Sequence, residues 1–411
     1  MKILHIIFSN QGGAAIGLRR LHKALKQKKI ESEIFYFREF IKCKKNFLLY
    51  LSSNILWWSQ KILKKIIINI FTKLGHKESI SMNIISPINY QKIINKKKPD
   101  IVHLHWLGNE MISAKSISNI NKPVIWTMHD MWPFCGTEHF VNNNRFSQGY
   151  NSVNRPPRER GIDLNKIIWK LKKKYFLKKK IHIICPSKWI EDRVEKSLMF
   201  KNKKKSIIPY ILNLQEWKIQ NKKKIQSKHL KNNFKTVIFF SATSSVNHRK
   251  GFNYLYEAIE KYLDKDKYYL LVAGVKPNLF DKITIEKKFI GQLTSQKEIN
   301  LAYNLADIYV MPSIMESFGQ VYIEAGICGI PSVAFRKTAA EDIIQHKKNG
   351  YLANYKSSKD LAFGIDWIKI KSKKDSQMST KIRKYTNKKF SAEANIEKIV
   401  MLYKKNLANV D

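Results

Sequence analysis

The sequence predicts an α/β protein made of two Rossmann-like, doubly wound parallel-sheet lobes facing across a cleft. Three observations predict it. Short runs rich in Ile, Val and Phe alternate with amphipathic stretches along most of the chain. The alternation pauses once, near Ile207–Leu212, and restarts at Thr236. A length of 411 residues exceeds one ordinary domain and suits two.

The elements follow in order. Ile3–Phe8 is a strand, Gln11-Gly12-Gly13 a glycine loop, Ile16–Lys28 a helix and Ser32–Phe37 a second strand. Strand, glycine turn, helix and strand open a βαβ unit. Further buried-type strands are expected at Ile101–His105, Val124–Met128 and Ile181–Cys185. The polar, Lys-rich stretch from Gln220 to Lys235 suits a crossing between domains. Beyond it come strand Thr236–Phe240, helix Gly251–Tyr262, strand Tyr268–Ala273, the run Phe289–Leu293, helix Ser295–Leu305 and strand Asp307–Met311. Helix Gln320–Cys328, strand Pro331–Phe335 and a terminal helix Ser391–Leu407 complete the pattern. The expected division is an acceptor-side lobe over 1–208 and a donor-binding lobe over 209–387, with a 388–411 helix able to pack back on the first.

Composition narrows the class. Apolar residues make up 44% of the chain and aromatics 12%, enough for two cores. The four cysteines, at 43, 135, 185 and 328, form no CxxC spacing, so neither a zinc site nor a disulfide scaffold is expected, and a reducing cytoplasm fits. The net charge of +44 comes mostly from Lys. It is either compositional drift on solvent-facing positions or attraction to an anionic partner. Nucleic acid is not expected, because no module sets Arg and aromatics in register. The opening apolar run is too short for a signal peptide, and no stretch suits a spanning helix. Between Asn46 and Gly75, apolar blocks are broken by Lys61, Lys64 and Lys65. This stretch suits either core-packing helices or a helix lying on an anionic membrane surface.

In doubly wound sheets, ligands sit beyond the carboxyl ends of the strands, near helix N-termini. One loop there is distinctive: Pro312-Ser-Ile-Met-Glu316-Ser-Phe-Gly319-Gln-Val-Tyr-Ile-Glu324. The helix start offers free N–H groups to an anion, and the two glutamates can accept from hydroxyls on either side of it. Sugar, phosphates, sugar is the layout of a nucleotide sugar. By themselves, two glutamates eight apart are commonplace on helices. Asn247-His-Arg249-Lys250-Gly251 places two cations at another strand-to-helix loop, where Arg offers a fork and Lys a point charge to a diphosphate. An ordinary surface pair is the plain alternative in a chain with 76 basic residues.

Glu316-Ser-Phe-Gly-x4-Glu324-Ala, Gly329-x-Pro331-x-Val333 and Asn349-Gly-Tyr-Leu352 together resemble the signature of the family 4 retaining glycosyltransferases of GT-B fold. Upstream, Asp100-Ile-Val-His-Leu-His-Trp106 and Thr127-Met-His-Asp-Met-Trp-Pro-Phe134 are similar to the subgroup that includes the colanic-acid glycosyltransferases. The resemblance covers essentially the whole chain. It implies that Glu316 contacts the donor sugar and Glu324 the ribose, while amides around Phe318 and Gly319, with Ser317 and Gln320 beside them, bind the diphosphate. Arg249 and Lys250 would stabilise the leaving group, His129 would bond the donor sugar, and Gly12 and Gly13 would let backbone approach phosphate or acceptor. The family has an Arg close behind the strand; here Ser241 or Ala242 stands there, which makes Arg249 a substitute. His103 and His105 are expected to be structural, and Cys135-Gly-Thr-Glu138-His139 to be an acceptor-side loop. Lys188 and Trp189 line the cleft or pack.

The resemblance implies transfer of a hexose from a nucleoside-diphosphate sugar to a glycan or lipid-linked hydroxyl, with retention and without a metal or other cofactor. Cell-surface polysaccharide assembly at the inner face of the plasma membrane is the expected setting. The alternative class is a basic, polyanion-binding Rossmann-like protein without transferase activity.

Overall fold

The computed structural model describes residues 1–43, 47–73, 80–230, 235–242 and 248–408. Asn247, the ends of the 46–75 stretch and residues 231–234 of the 220–235 stretch lie outside these. Two compact units emerge: Met1–Pro209 with Ile396–Asp411, and Tyr210–Asn395.

The first unit contains β1 (Lys2–Ile7), α1 (Gly13–Gln27), β2 (Glu31–Tyr36), α2 (Phe47–Ile66), β3 (Ile101–Leu104), β4 (Val124–Thr127), α3 (Leu164–Phe176), β5 (His182–Cys185) and β6 (Lys205–Ile207). The six strands of its main sheet are all parallel, in the order β2-β1-β3-β4-β5-β6, and a separate two-stranded antiparallel sheet pairs Thr72–Lys73 with Arg160–Gly161. β1, β3, β4 and β5 are buried almost throughout, as covered parallel strands must be. The order reverses between β1 and β3, so the loops after these two strands diverge there.

The second unit contains β7 (Thr236–Ala242), α4 (Phe252–Tyr262), β8 (Tyr268–Gly274), β9 (Glu286–Phe289), α5 (Gln296–Leu305), β10 (Ile308–Val310), α6 (Gln320–Ile327), β11 (Ser332–Phe335), β12 (Gly350–Ala353), α7 (Ser358–Lys374) and α8 (Met378–Phe390). The parallel strands run β9-β8-β7-β10-β11-β12, the Rossmann order, with its reversal between β7 and β10. A single core joins Val237–Phe240, Leu270–Val272, Val333–Phe335 and Leu361–Ile368. α5 opens with a capping box, Ser295 and Glu298 satisfying each other's backbone amides.

Several expectations need correction. The pause near Ile207 is the edge strand β6, whose three residues are only partly covered and so carry no apolar run. β9 covers Glu286–Phe289 rather than Phe289–Leu293, because its edge position tolerates polar residues. β12 opens on Gly350, which interrupts the apolar run that marks the other strands. The crossing stretch 220–235 holds a helix at Lys222–Leu230, tied to the second unit by Lys222 and Gln226 bonding Asp307. The terminal helix expected at Ser391–Leu407 is α9 (Ala392–Leu407), while the 388–411 range also takes in the end of α8. The two helices break at Ser391, whose backbone is extended and whose hydroxyl accepts from the Ala394 amide.

The 46–75 stretch forms α2. Its inner face is held by polar contacts: Trp57 Nε1 donates to the Asn109 carbonyl, and Lys64 reaches the buried Glu110 at 2.8 Å. Its outer face exposes Leu51, Ile55, Trp58, Ile62 and Ile66, between 42 and 60%. Among the described residues, no helix is long and apolar enough to cross a membrane.

Candidate functional site

The second unit assembles its site where the strand order reverses. β7 leads to Arg249 and Lys250, and β10 leads to Glu316. Lys250 Nζ donates to Glu316 Oε2 at 2.6 Å, and Arg249 stands 3.7 Å from the same oxygen. The two loops are strapped together. Arg249 donates to the Met315 carbonyl, and the Arg249 carbonyl accepts from the Ile314 amide. Gly251 makes this approach possible: its φ is +73°, and a Cβ would stand 1.9 Å from the Pro312 carbonyl oxygen.

Charges at the pair reflect competing effects. Burial alone would raise the Glu316 carboxyl, but Lys250, Arg249 and the Ser317 amide outweigh it and hold the group below its usual range. Burial lowers the Lys250 ammonium, against the pull of Glu316. A buried, ionised carboxylate with two cations on one side is therefore fixed in place. Lys250 still has further N–H donors beyond the one given to Glu316.

α6 begins immediately after. Gly319 is its cap, left-handed at φ +88°, a geometry glycine adopts without strain. Ser317 and Phe318 are buried, and Gln320 is half-buried in the first turn. The start of a helix is a place that suits a phosphate. Glu324, one turn in, is buried and accepts from the Tyr303 hydroxyl at 3.0 Å.

In the first unit, Gly12 has φ +86° and precedes α1, which starts at Gly13. A Cβ on Gly12 would meet nothing within 4 Å, so its conformation rather than crowding calls for glycine. His129 follows β4, half-buried, in one small recess with His105, Trp106, Asp130, Trp132 and His139. Burial lowers its imidazole to about 4, against the neighbouring Asp130. His129 Nε2 pairs with His105 Nδ1 at 3.0 Å, and His105 Nε2 pairs with His5 Nδ1, also at 3.0 Å.

Asp130 is a site residue that the sequence reading passed over. It accepts from Trp106 Nε1, the Trp132 amide and His139 Nδ1, at 2.7, 3.0 and 2.6 Å. Burial would raise its carboxyl, but His139 and these donors hold it low. His139 Nε2 then meets Ser81 Oγ at 2.8 Å. This Ser-His-Asp connectivity holds a loop, since Ser81 is fully buried and accepts the Asn109 amide. Glu138 and His139, expected in an acceptor-side loop, are buried in the interior instead. The Thr127–Phe134 motif could have flagged Asp130, because an acidic residue among aromatics must be internally bonded.

Trp189 packs inside while Lys188 is exposed and pairs with Glu191. Among the described residues, His5, His103 and His105 have ring nitrogens within 4.8 Å of one another, close enough to hold a metal ion. These nitrogens are largely committed: both of His103 go to Tyr403 and Thr127, and His5 and His105 pair with each other. The set therefore fits internal hydrogen bonding better than ligation.

Two Rossmann-type units, one gathering an acid and two cations at its strand reversal, are the architecture of the GT-B fold. The chain belongs to Glycosyltransferase Family 4, which residues 11–216 match, and residues 221–385 match the Glycosyl transferases group 1 family. An uncharacterized glycosyltransferase of Methanocaldococcus jannaschii is 30% identical over 131 residues, 30% of this chain and 33% of that protein. A 41.2 kDa protein of the cps region of Klebsiella pneumoniae is 27% identical over 157 residues, 38% of this chain and 43% of that one. The matches thus span under half the length of these relatives. Sucrose-phosphate synthase of Thermosynechococcus elongatus shares the fold at a TM-score of 0.68 and 15% identity, over 99% of both chains. Anabaena HepE in complex with UDP-glucose does so at 0.63 and 16%, over 98% of this chain and 100% of that one.

Proposed function

We propose that the protein transfers a hexose from a nucleoside-diphosphate sugar to a hydroxyl of a glycan or lipid-linked saccharide, with retention of configuration. One observation carries the reading: Glu316, Lys250 and Arg249 gather at the strand reversal, beside the glycine-capped start of α6. The binding of UDP-glucose by HepE supports a nucleotide-sugar donor, and the cps-region relative supports a polysaccharide setting.

In this reading the diphosphate lies against Lys250, Arg249 and the amides of Ser317, Phe318, Gly319 and Gln320. As the glycosidic C–O bond breaks, negative charge grows on the leaving phosphate oxygen. Donors already fixed toward that oxygen stabilise it at no reorganisation cost. Glu316, ionised and held by the two cations, accepts hydrogen bonds from donor-sugar hydroxyls, and Glu324 serves the ribose. His129 bonds the donor sugar. Gly12 and Gly13 bring backbone near phosphate or acceptor. No metal or other cofactor is assigned a role. The apolar outer stripe of α2, beside Lys61 and Lys65, supports an anionic bilayer as the surface from which a lipid-linked acceptor is drawn.

The test is a pair of variants measured with UDP-glucose and UDP. Glu316→Ala should lower turnover about 100-fold or more while UDP affinity stays close to wild type, although the buried Lys250 left without its partner should also lower the melting temperature. Lys250→Ala should weaken UDP itself about tenfold by calorimetry. Unchanged turnover in the first variant would refute the assignment, and a wild-type protein that turns over no nucleotide sugar would leave the polyanion-binding alternative. Inverted configuration at the product's anomeric carbon would refute retention.

A further inference from the structure

Three buried tyrosines of the second unit stand ring to ring, Tyr303 with Tyr309 at 5.5 Å and Tyr309 with Tyr322 at 6.2 Å. Their hydroxyls are spent differently. Tyr309, on β10, pairs with Ser241 Oγ at 3.0 Å. Tyr322, on α6, donates to the Met311 carbonyl at 2.7 Å. Tyr303, on α5, donates to Glu324 Oε2 at 3.0 Å. Of these three bonds, only the last reaches a side chain to which a ligand role has been given.

Tyr303 is held firmly. It is 2% exposed, and Trp217, Phe239 and Tyr309 pack on its ring with centroids at 6.0, 5.3 and 5.5 Å. Edge-on and tilted packing of this kind fixes a ring in a core. Burial also pushes its phenol well above the usual range, with Glu324 adding to the effect, so the hydroxyl keeps its proton and serves as a donor. A glutamate side chain, by contrast, turns about several bonds, and ordering such a chain on binding costs affinity. A donor at a fixed place, meeting one of the Glu324 oxygens, removes that freedom beforehand. It fills one of the roughly four lone-pair sites that a carboxylate offers, so ribose hydroxyls can be accepted alongside it.

We propose that Tyr303 is a positioning residue, whose hydroxyl orients the Glu324 carboxylate for the ribose hydroxyls of the nucleotide donor. This rests on the ribose role given to Glu324 above. Tyr303 touches no ligand and acts through Glu324. Its hydroxyl therefore governs affinity for the nucleotide and not the bond-breaking step, because a ribose contact is the same in the bound donor and in the transition state.

Calorimetry of the full chain with UDP and with 2′,3′-dideoxy-UDP, which lacks both ribose hydroxyls, reads the contact. Wild type should prefer UDP about tenfold or more. Tyr303→Phe keeps the ring and its packing and removes one oxygen. It should weaken UDP about fivefold and leave the dideoxy nucleotide unchanged, so that the preference shrinks. With UDP-glucose, KM should rise by a similar factor while kcat holds. A merely structural role would lower kcat, and the affinity for both nucleotides, together. In a Glu324→Ala background, Tyr303→Phe should change UDP affinity no further. An undiminished preference for UDP in Tyr303→Phe, an equal loss on both nucleotides, or a further loss in the Glu324→Ala background overturns the proposal. So does a Phe variant that fails to fold, since the hydroxyl would then serve the core. A wild-type protein that binds the two nucleotides alike, or binds neither, would instead refute the ribose role of Glu324 and take the proposal with it.

Discussion

Glu138 and Lys172 show what a buried side chain costs when its partners are uncharged. Lys172 Nζ donates to the carbonyls of Trp132 and Gly136 at 2.5 and 2.7 Å, and sits 3.7 Å above the Trp132 ring. It thereby fastens the turn that follows His129 and Asp130. Burial lowers its ammonium to about 7, and burial raises the Glu138 carboxyl to about 7. The signs differ in consequence. Between about pH 4.5 and 7 the unfolded chain ionises Glu138 while the folded one keeps it protonated, so stability falls as pH rises through that window. Above pH 7 the folded chain releases the Lys172 proton that the unfolded chain retains to about pH 10, so stability recovers. Glu138→Gln, which keeps an acceptor for Tyr150, should match wild type at pH 4.5 and melt higher at pH 8. Melting curves across that range check it; parallel curves would contradict it. None of this was legible in the sequence. A lysine and a glutamate read as solvent-facing, and only three-dimensional closure of the 132–138 turn over α3 buries them.

At the scale of elements, the sequence carried more. The strands that host the site are covered on both faces, so their apolar runs were visible and their ends fell within a residue or two of expectation. Edge strands β6 and β9 carry Lys and Glu, lose that signature, and were missed or shifted. The loop of Glu316 was legible because helix tip, glycine and carboxylate lie within one short segment. Its partnership with Lys250 was only inferred, since 66 residues separate them and the reversal between β7 and β10 brings them together. The histidine chain was invisible for the same reason: β1, β3 and β4 contribute one ring each. Gly251→Ala tests the strap between the two loops. A left-handed φ and a 1.9 Å clash with a carbonyl should cost about 2 kcal/mol or more, a fall of about 4–8 °C in melting temperature. A variant melting like wild type would mean that the strap yields.

For the molecule as a whole, net charge and α2 act together. On the proposed membrane reading, a charge of +44 would draw the protein toward an anionic surface, and the stripe from Leu51 to Ile66 would supply the apolar area that lets contact persist at high salt. Ile55→Glu with Trp58→Glu should abolish sedimentation with phosphatidylglycerol vesicles while UDP affinity is unaffected. Equal sedimentation of variant and wild type at high salt would assign the attraction to charge alone. The last helix adds a different constraint. Tyr403 on α9 bonds His103 on β3, a pair 300 residues apart, and the second unit is spelled out entirely between them. During synthesis, β1 to β6 must wait for the final stretch of chain before that contact can form. The unit begun first is thus completed only after the second has been spelled out, and a ribosome stalling before residue 403 would leave its interior open.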